Sequence, residues 1–129
     1  PTDSKPEGVK VRIVCTHLDA FGGDVTCFEQ AKEVLEHAVK PSVDQGIPVL
    51  LAGDMNCGYY STAIAEYEKS GDRLCNNNGT FSHGGSKLDY LIGFPKQKWT
   101  CTDYQVIRTA EADALSDHSP ITGTAVLKN

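Results

Sequence analysis

The run Ile47-Pro48-Val49-Leu50-Leu51-Ala52-Gly53 does most to limit how this chain can fold. A short, nearly unbroken apolar run reads as a strand buried on both faces. Strand-like and helix-like runs alternate around it. Val9 to Thr16 is rich in β-branched residues and alternates in part, so it reads as a strand. Thr26 and Glu29 stand at capping-box spacing, Phe28, Ala31, Leu35 and Ala38 follow at helical spacing, and Pro41 marks the stop. Ser61 to Ser70 reads as a second helix, with Gly71 as its C-terminal cap. Lys87 to Gly93, Trp99 to Arg108 and Ile121 to Leu127 read as strands. In the second of these, Trp99, Cys101, Asp103, Gln105 and Ile107 share one face. The order β-α-β-α-β-β-β predicts an α/β fold, a mixed β-sheet with helices on one face. Both helices lie in the first half of the chain and can cover only one face of Ile47–Gly53. The other face is expected to be covered by a partner chain or by a part of the protein outside these 129 residues.

That length allows one domain, with enough chain to bury about two thirds of its unfolded surface. Twelve Lys and Arg against 17 Asp and Glu give a formal charge of −5, which disfavours a broad, sequence-independent nucleic-acid grip. A local site that holds one phosphate through a metal is compatible with it. No apolar stretch is long enough to predict a membrane span. Pro1 to Gly8 is polar and lacks an apolar signal region, which leaves secretion open. The five cysteines, at 15, 27, 57, 75 and 101, contain no closely spaced pair of the structural zinc type. Cys15 and Cys101 lie in strand-like runs, where a free cysteine acts as a small hydrophobe. A disulfide between distant cysteines is compatible with these spacings.

Polar and ionisable residues cluster where strands end, as they do at functional sites of α/β folds. The clusters are Thr16-His17-Leu18-Asp19, Gly53-Asp54-Met55-Asn56, Leu88-Asp89-Tyr90 and Ser116-Asp117-His118-Ser119-Pro120. Taken singly, each has a plain structural explanation. His17 reads as an ordinary histidine after a strand, Asp54 and Asn56 as an Asx-type turn, and Asp117-His118 as a turn before proline. Asp89 stands among Leu88, Leu91 and Ile92, so its carboxylate is expected to be partly buried and to need a partner. The case for function rests on the four occurring together, in this order.

In that order they resemble the endonuclease/exonuclease/phosphatase superfamily, metal-dependent phosphoesterases with a deoxyribonuclease-like fold. The resemblance runs from about Val9 to Val126, with Thr80-Phe81 placed before Leu88-Asp89-Tyr90 as is common in that family. It implies that Asp54 orients or deprotonates the attacking water and that Asn56 holds the phosphate. It implies that Asp117 ligates Mg2+ (or Mn2+), that His118 contacts the scissile phosphate with Asp89 orienting it, and that His17 is a second phosphate-contacting histidine. Carboxylates are hard ligands suited to such an ion. The family also places an Asn and a metal-binding Glu ahead of these motifs. Nothing upstream of His17 supplies them, and Glu29 and Glu33 follow it. Residues 1–129 therefore resemble the C-terminal half of such a domain, half of a four-layer α/β/β/α sandwich whose other half packs on the uncovered sheet face.

The resemblance implies hydrolysis of a phosphodiester or phosphomonoester once the N-terminal half is supplied, with a second chain as one source. Nucleic acid is one possible substrate. The Trp-Cys-Asp-Arg pattern of inositol-polyphosphate phosphatases is missing from the Leu88-Asp89-Tyr90 element. Tyr59, Tyr60 and Phe81 are candidates for a substrate pocket or a base stack, with loop packing as the plainer expectation. The alternative function is a non-catalytic half-domain or pseudoenzyme that binds a phosphoryl ligand or a protein. An uncovered apolar sheet face further predicts association rather than a clean monomer.

Overall fold

The computed structural model describes residues 8–75 and 83–129. The elements are β1 (Arg12–His17), α1 (Gly23–Val34), a π-helical turn (Leu35–Val39), α2 (Lys40–Asp44), β2 (Val49–Asp54) and α3 (Thr62–Glu68), then β3 (Asp72–Leu74), β4 (Asp89–Phe94), β5 (Trp99–Val106), α4 (Ala110–Leu115) and β6 (Ile121–Leu127). The first sheet has the spatial order β1-β2-β4-β3. β1 and β2 run parallel, while β4 is antiparallel to both β2 and β3. The mixed α/β class expected from the sequence is the one observed.

Helices cover one face of this sheet. Cys27, Ala31 and Val39 from the first helical stretch, and Ala63, Ile64 and Tyr67 from α3, pack with Val49, Leu51, Tyr90, Ile92 and Phe94 in a single buried cluster. β2 is buried on that face alone. Val49 and Leu51 are fully buried, whereas Leu50 and Ala52, on the opposite face, are half-exposed.

Several expectations need correction. The first helix begins at Gly23, and Thr26 lies inside it, its hydroxyl donating to the Gly22 carbonyl (3.0 Å) rather than capping. The start is marked instead by the Asp19 carboxylate, which accepts the backbone N–H groups of Phe21 and Gly22. Pro41 does not stop the helix. A proline ring collides with the carbonyl four residues back in a regular α-helix and has no N–H to donate. The π turn ahead of it, closed by Lys40 N–H to the Leu35 carbonyl, widens the spiral, and α2 resumes with Pro41 in its first turn.

β5 and β6 do not join the sheet. They form a separate two-stranded ribbon that lies over the β3–β4 side of the face away from the helices. The contacts are tight: a Cβ on Gly93 would fall 2.6 Å from the Trp99 ring, and one on Gly123 3.2 Å from Leu91 Cδ1. A disulfide between Cys75 and Cys101 fastens ribbon to sheet, so Cys101 is not a free hydrophobe. Closing a loop of 26 residues stabilises the fold by about 3 kcal/mol. Cys15 is exposed rather than packed, and Ile13, on the same open side, is 57% exposed. The regular alternation expected for Trp99–Arg108 breaks at a bulge: Asp103 has φ 56° and the register shifts between Thr102 and Gln105. Beyond it Tyr104 and Val106 turn inward in place of Asp103 and Gln105. Thr80, Phe81 and the Asn76–Gly79 turn lie outside the described residues.

Candidate active site

The parallel strands β1 and β2 finish together, and β4 begins beside them. The register pairs His17 with Asp54 and Asp54 with Asp89, so three of the expected site residues form a row across three strands. Their side chains share the sheet face opposite the helices. Asp54 Oδ2 lies 3.4 Å from His17 Nε2 and 3.5 Å from His118 Nε2. His118 arrives from the loop between α4 and β6, and its Nδ1 stands 2.7 Å from Asp89 Oδ2. That short contact, with Nδ1–H donating to the carboxylate, leaves Nε2 facing Asp54, and an open cleft lies beside the ring. The cleft has a volume of about 360 Å³ and is lined by Asp89, Leu91, His118, Pro120 and Ile121 among others. Tyr59 and Tyr60 are not among its walls. Tyr59 stacks against Tyr60 edge-on and lies under the Arg73 guanidinium, in keeping with loop packing.

The turn after β2 sets this geometry. Gly53 has φ 145° and lets β1 approach closely. The Leu18 N–H then donates to the Asp54 carbonyl (2.9 Å), and the Met55 N–H to the Leu88 carbonyl (2.8 Å), fastening three chain segments at one level. Asn56 adopts a left-handed conformation, φ 49°, which asparagine tolerates well. Its backbone N–H donates to Asp54 Oδ1 (2.8 Å), and its side-chain amide donates to the Leu18 carbonyl (2.6 Å). The Asx turn is therefore real, and it orients the Asp54 carboxylate. One of the two amide N–H donors of Asn56 is committed to the turn.

Burial alone would lower the His118 pKa. The hydrogen bond to Asp89 and the charges of Asp89, Asp54 and Asp117 outweigh it, so the imidazole is held above its ordinary value. Asp117, adjacent in sequence, faces His83 at the exposed edge of the site. Its side chain is 81% exposed and pairs with His83, with Oδ2 3.3 Å from Nε2. Two sets of possible cation ligands overlap at His118: Asp54 with Asp89, and His83 with Asp117. His83 is a site neighbour that sequence reasoning missed. The only local signal was a lone histidine beside Gly84-Gly85, shortly before the Leu88-Asp89 motif.

Lys87 was missed as well. It is almost fully buried, and its Nζ donates to the Asp89 carbonyl and to the Tyr104 hydroxyl (3.1 Å each). It also sits over the Tyr90 and Tyr104 rings, 4.9 and 5.0 Å from their centroids. The lysine thus ties the start of β4, which carries Asp89, to the ribbon. Burial, aided by the nearby Arg73 charge, pulls its pKa down to about 8 from 10.5. Between those values the unfolded chain holds a proton that the folded chain has released, so stability rises with pH. Cys57 opposes this above pH 9.0, because burial pushes its thiol up to about 11 and the unfolded thiol ionises first. The unfolding free energy is therefore expected to climb between about pH 8 and 9 and then level off or fall. Urea titrations should show that climb in the parent protein and lose it in Lys87→Met. A climb of equal size in the variant would remove Lys87 as its source.

No family model matches the sequence, and no curated protein matches it. Solved structures do match. The human Nocturnin catalytic domain with bound sulfate superposes with a TM-score of 0.67 at 18% identity, over 87% of this chain and 47% of that one. An endonuclease/exonuclease/phosphatase family protein from Bacteroides thetaiotaomicron superposes with a TM-score of 0.64 at 18% identity, over 91% and 50%. This chain has the endonuclease/exonuclease/phosphatase fold. A mannosyl-6-phosphatase from Bacteroides thetaiotaomicron shares it with a TM-score of 0.61 at 23% identity, over 89% of this chain and 51% of that one. The chain spans about half the length of each of these three structures. Among the described residues, no helix is long and apolar enough to cross a membrane.

Proposed function

We propose that this chain carries one side of the active site of a divalent-metal-dependent phosphoesterase, completed by an N-terminal half from the same protein or a second chain. The observation that supports it most is the row His17–Asp54–Asp89 at the strand ends, with His118 closing over it. A fold shared with a phosphatase and with a domain that binds sulfate, a tetrahedral oxyanion like phosphate, supports the same reading.

Asp54 orients the attacking water and takes its proton. The water oxygen bonds to phosphorus as the ester P–O bond breaks. His118, with Nδ1 held by Asp89, offers Nε2 to a phosphoryl oxygen, and His17 protonates or hydrogen-bonds the leaving oxygen. The amide donor of Asn56 not used by Leu18 holds another phosphoryl oxygen. Asp117 suits the expected Mg2+ or Mn2+, because such ions use one or two protein carboxylates and fill their remaining positions with water and phosphate oxygens. When bound, the ion would polarise the phosphoryl group and offset its developing charge. The formal charge of −5 favours small or locally gripped phosphoesters over a long nucleic-acid track.

The half-length of the chain favours one competing reading, a non-catalytic module that binds a phosphoryl ligand or a protein. Hydrolysis of bis(p-nitrophenyl) phosphate and of p-nitrophenyl phosphate, with and without Mg2+, separates the two. The assay belongs on the fullest form of the protein, with any copurifying chain retained. Asp54→Asn is expected to lower the Mg2+-dependent rate by about 100-fold or more while leaving the fold intact. A parent protein with no such activity would favour the binding module.

A further inference from the structure

We infer that His83, Asp117 and His118 form a binding site for a borderline transition-metal cation, of which Zn2+ is the best fit. Each offers one ligand atom, and these atoms all lie within 4.8 Å of one another. The donors arrive from two separate loops and meet at the rim of the cleft. His83 Nε2 and Asp117 Oδ2 are 3.3 Å apart. Metal bonds of about 2.0–2.1 Å at tetrahedral angles place neighbouring ligand atoms about 3.3 Å apart, so this pair already has the required spacing.

The histidines are prepared for the task in different ways. Asp89 engages His118 Nδ1 at 2.7 Å and leaves Nε2 as the coordinating nitrogen. A carboxylate behind a ligand histidine fixes its tautomer and raises its basicity, the usual support for a zinc-binding imidazole. His83 is held by paired backbone hydrogen bonds with Ser86, 3.1 and 2.8 Å, across a turn in which Gly84 takes φ 53°. The rings of His83 and His118 lie 4.7 Å apart and tilted by 47°, so neither stacks flat against the other.

Two imidazoles and one carboxylate suit Zn2+ better than Mg2+, which prefers oxygen and retains its water. Three protein ligands leave a fourth position open to water or to a phosphate oxygen. The site shares Asp117 and His118 with the proposed hydrolytic centre but requires no hydrolysis. Zn2+ held there would occupy the Nε2 that otherwise meets the phosphate, and so would inhibit a Mg2+-supported reaction. A second exposed group, Glu33, Glu36 and His37 on the first helical stretch, provides an internal control.

The test is calorimetric titration of the protein with ZnCl2 in the presence of excess Mg2+, together with the visible spectrum of the Co2+-loaded form. One Zn2+ per chain and a tetrahedral Co2+ spectrum are expected. His83→Ala should weaken Zn2+ at least about 10-fold, and Asp89→Asn about 10- to 100-fold. Asp117→Asn should weaken it as well, and Glu36→Gln should leave it unchanged. His83 is partly exposed, so His83→Ala is expected to fold. No Zn2+ uptake, or uptake unchanged by both His83→Ala and Asp117→Asn, would overturn the site. Zn2+ binding in a protein without phosphoesterase activity would refute the proposed function and leave this site standing.

Discussion

Asp89→Asn is expected to fold normally and to lower kcat for a phosphodiester by about 100- to 10,000-fold, with KM little changed. In the proposed mechanism the carboxylate touches no reacting atom. It accepts a hydrogen bond from His118 Nδ1 at 2.7 Å and keeps the other nitrogen turned toward Asp54. An asparagine has the same shape, but its amide can present N–H to Nδ1 and stabilise the opposite tautomer. The charge that helps hold the His118 pKa up is also lost. A purely structural role would leave the imidazole nitrogens unchanged, so the discriminating readout is the ¹⁵N spectrum of His118. A single Nδ1–H tautomer at high pH is expected in the parent and a mixture in the variant. His118→Ala should cost as much as Asp89→Asn combined with it, because residues that act as one unit are not additive. Full additivity, or an unchanged tautomer, would break the pairing on which the mechanism depends.

The residues of this unit were legible before any geometry was known, because each sits at the end of a strong strand signal. Ile121–Leu127 is the strand the sequence predicts, and Ile47–Gly53 contains most of β2. A strand end fixes which side chains emerge together, so His17, Asp54 and Asp89 could be placed near one another from their motifs. What escaped was decided by contacts between distant segments. His83 meets Asp117 across 34 residues, and Lys87 meets Tyr104 across 17, with no local pattern to announce either contact. Tyr104 faces Lys87 only because a bulge at Asp103 reverses the alternation. Pro41 reads as a terminator by local rules and is accommodated by a π turn that no propensity encodes. The ribbon looked like a continuation of the sheet because strand patterning records which residues alternate and not which strands pair.

Gly53→Ala is expected to cost about 3 kcal/mol or more of stability and to abolish hydrolysis even where the protein folds. Two penalties combine. The φ of 145° belongs to a region that side chains rarely adopt, and a Cβ there would fall 1.9 Å from the Thr16 carbonyl oxygen. That oxygen is backbone in the paired strand and cannot rotate away, so β1 and β2 must separate where His17 faces Asp54. Separation would stretch the Leu18 N–H to Asp54 carbonyl bond and the Asn56 amide bond to the Leu18 carbonyl. The loop that aims the carboxylate then loses its anchor. Gly46→Ala isolates one penalty from the other: Gly46 has φ 77°, but nothing lies within 4 Å of its Cβ position. It should cost only about 1 kcal/mol and leave hydrolysis untouched. Urea titration of the two variants in parallel measures the difference. Equal costs would mean that strand contact at Gly53 is not what holds the site together, and a larger cost at Gly53 would trace the row His17–Asp54–Asp89 to one missing side chain.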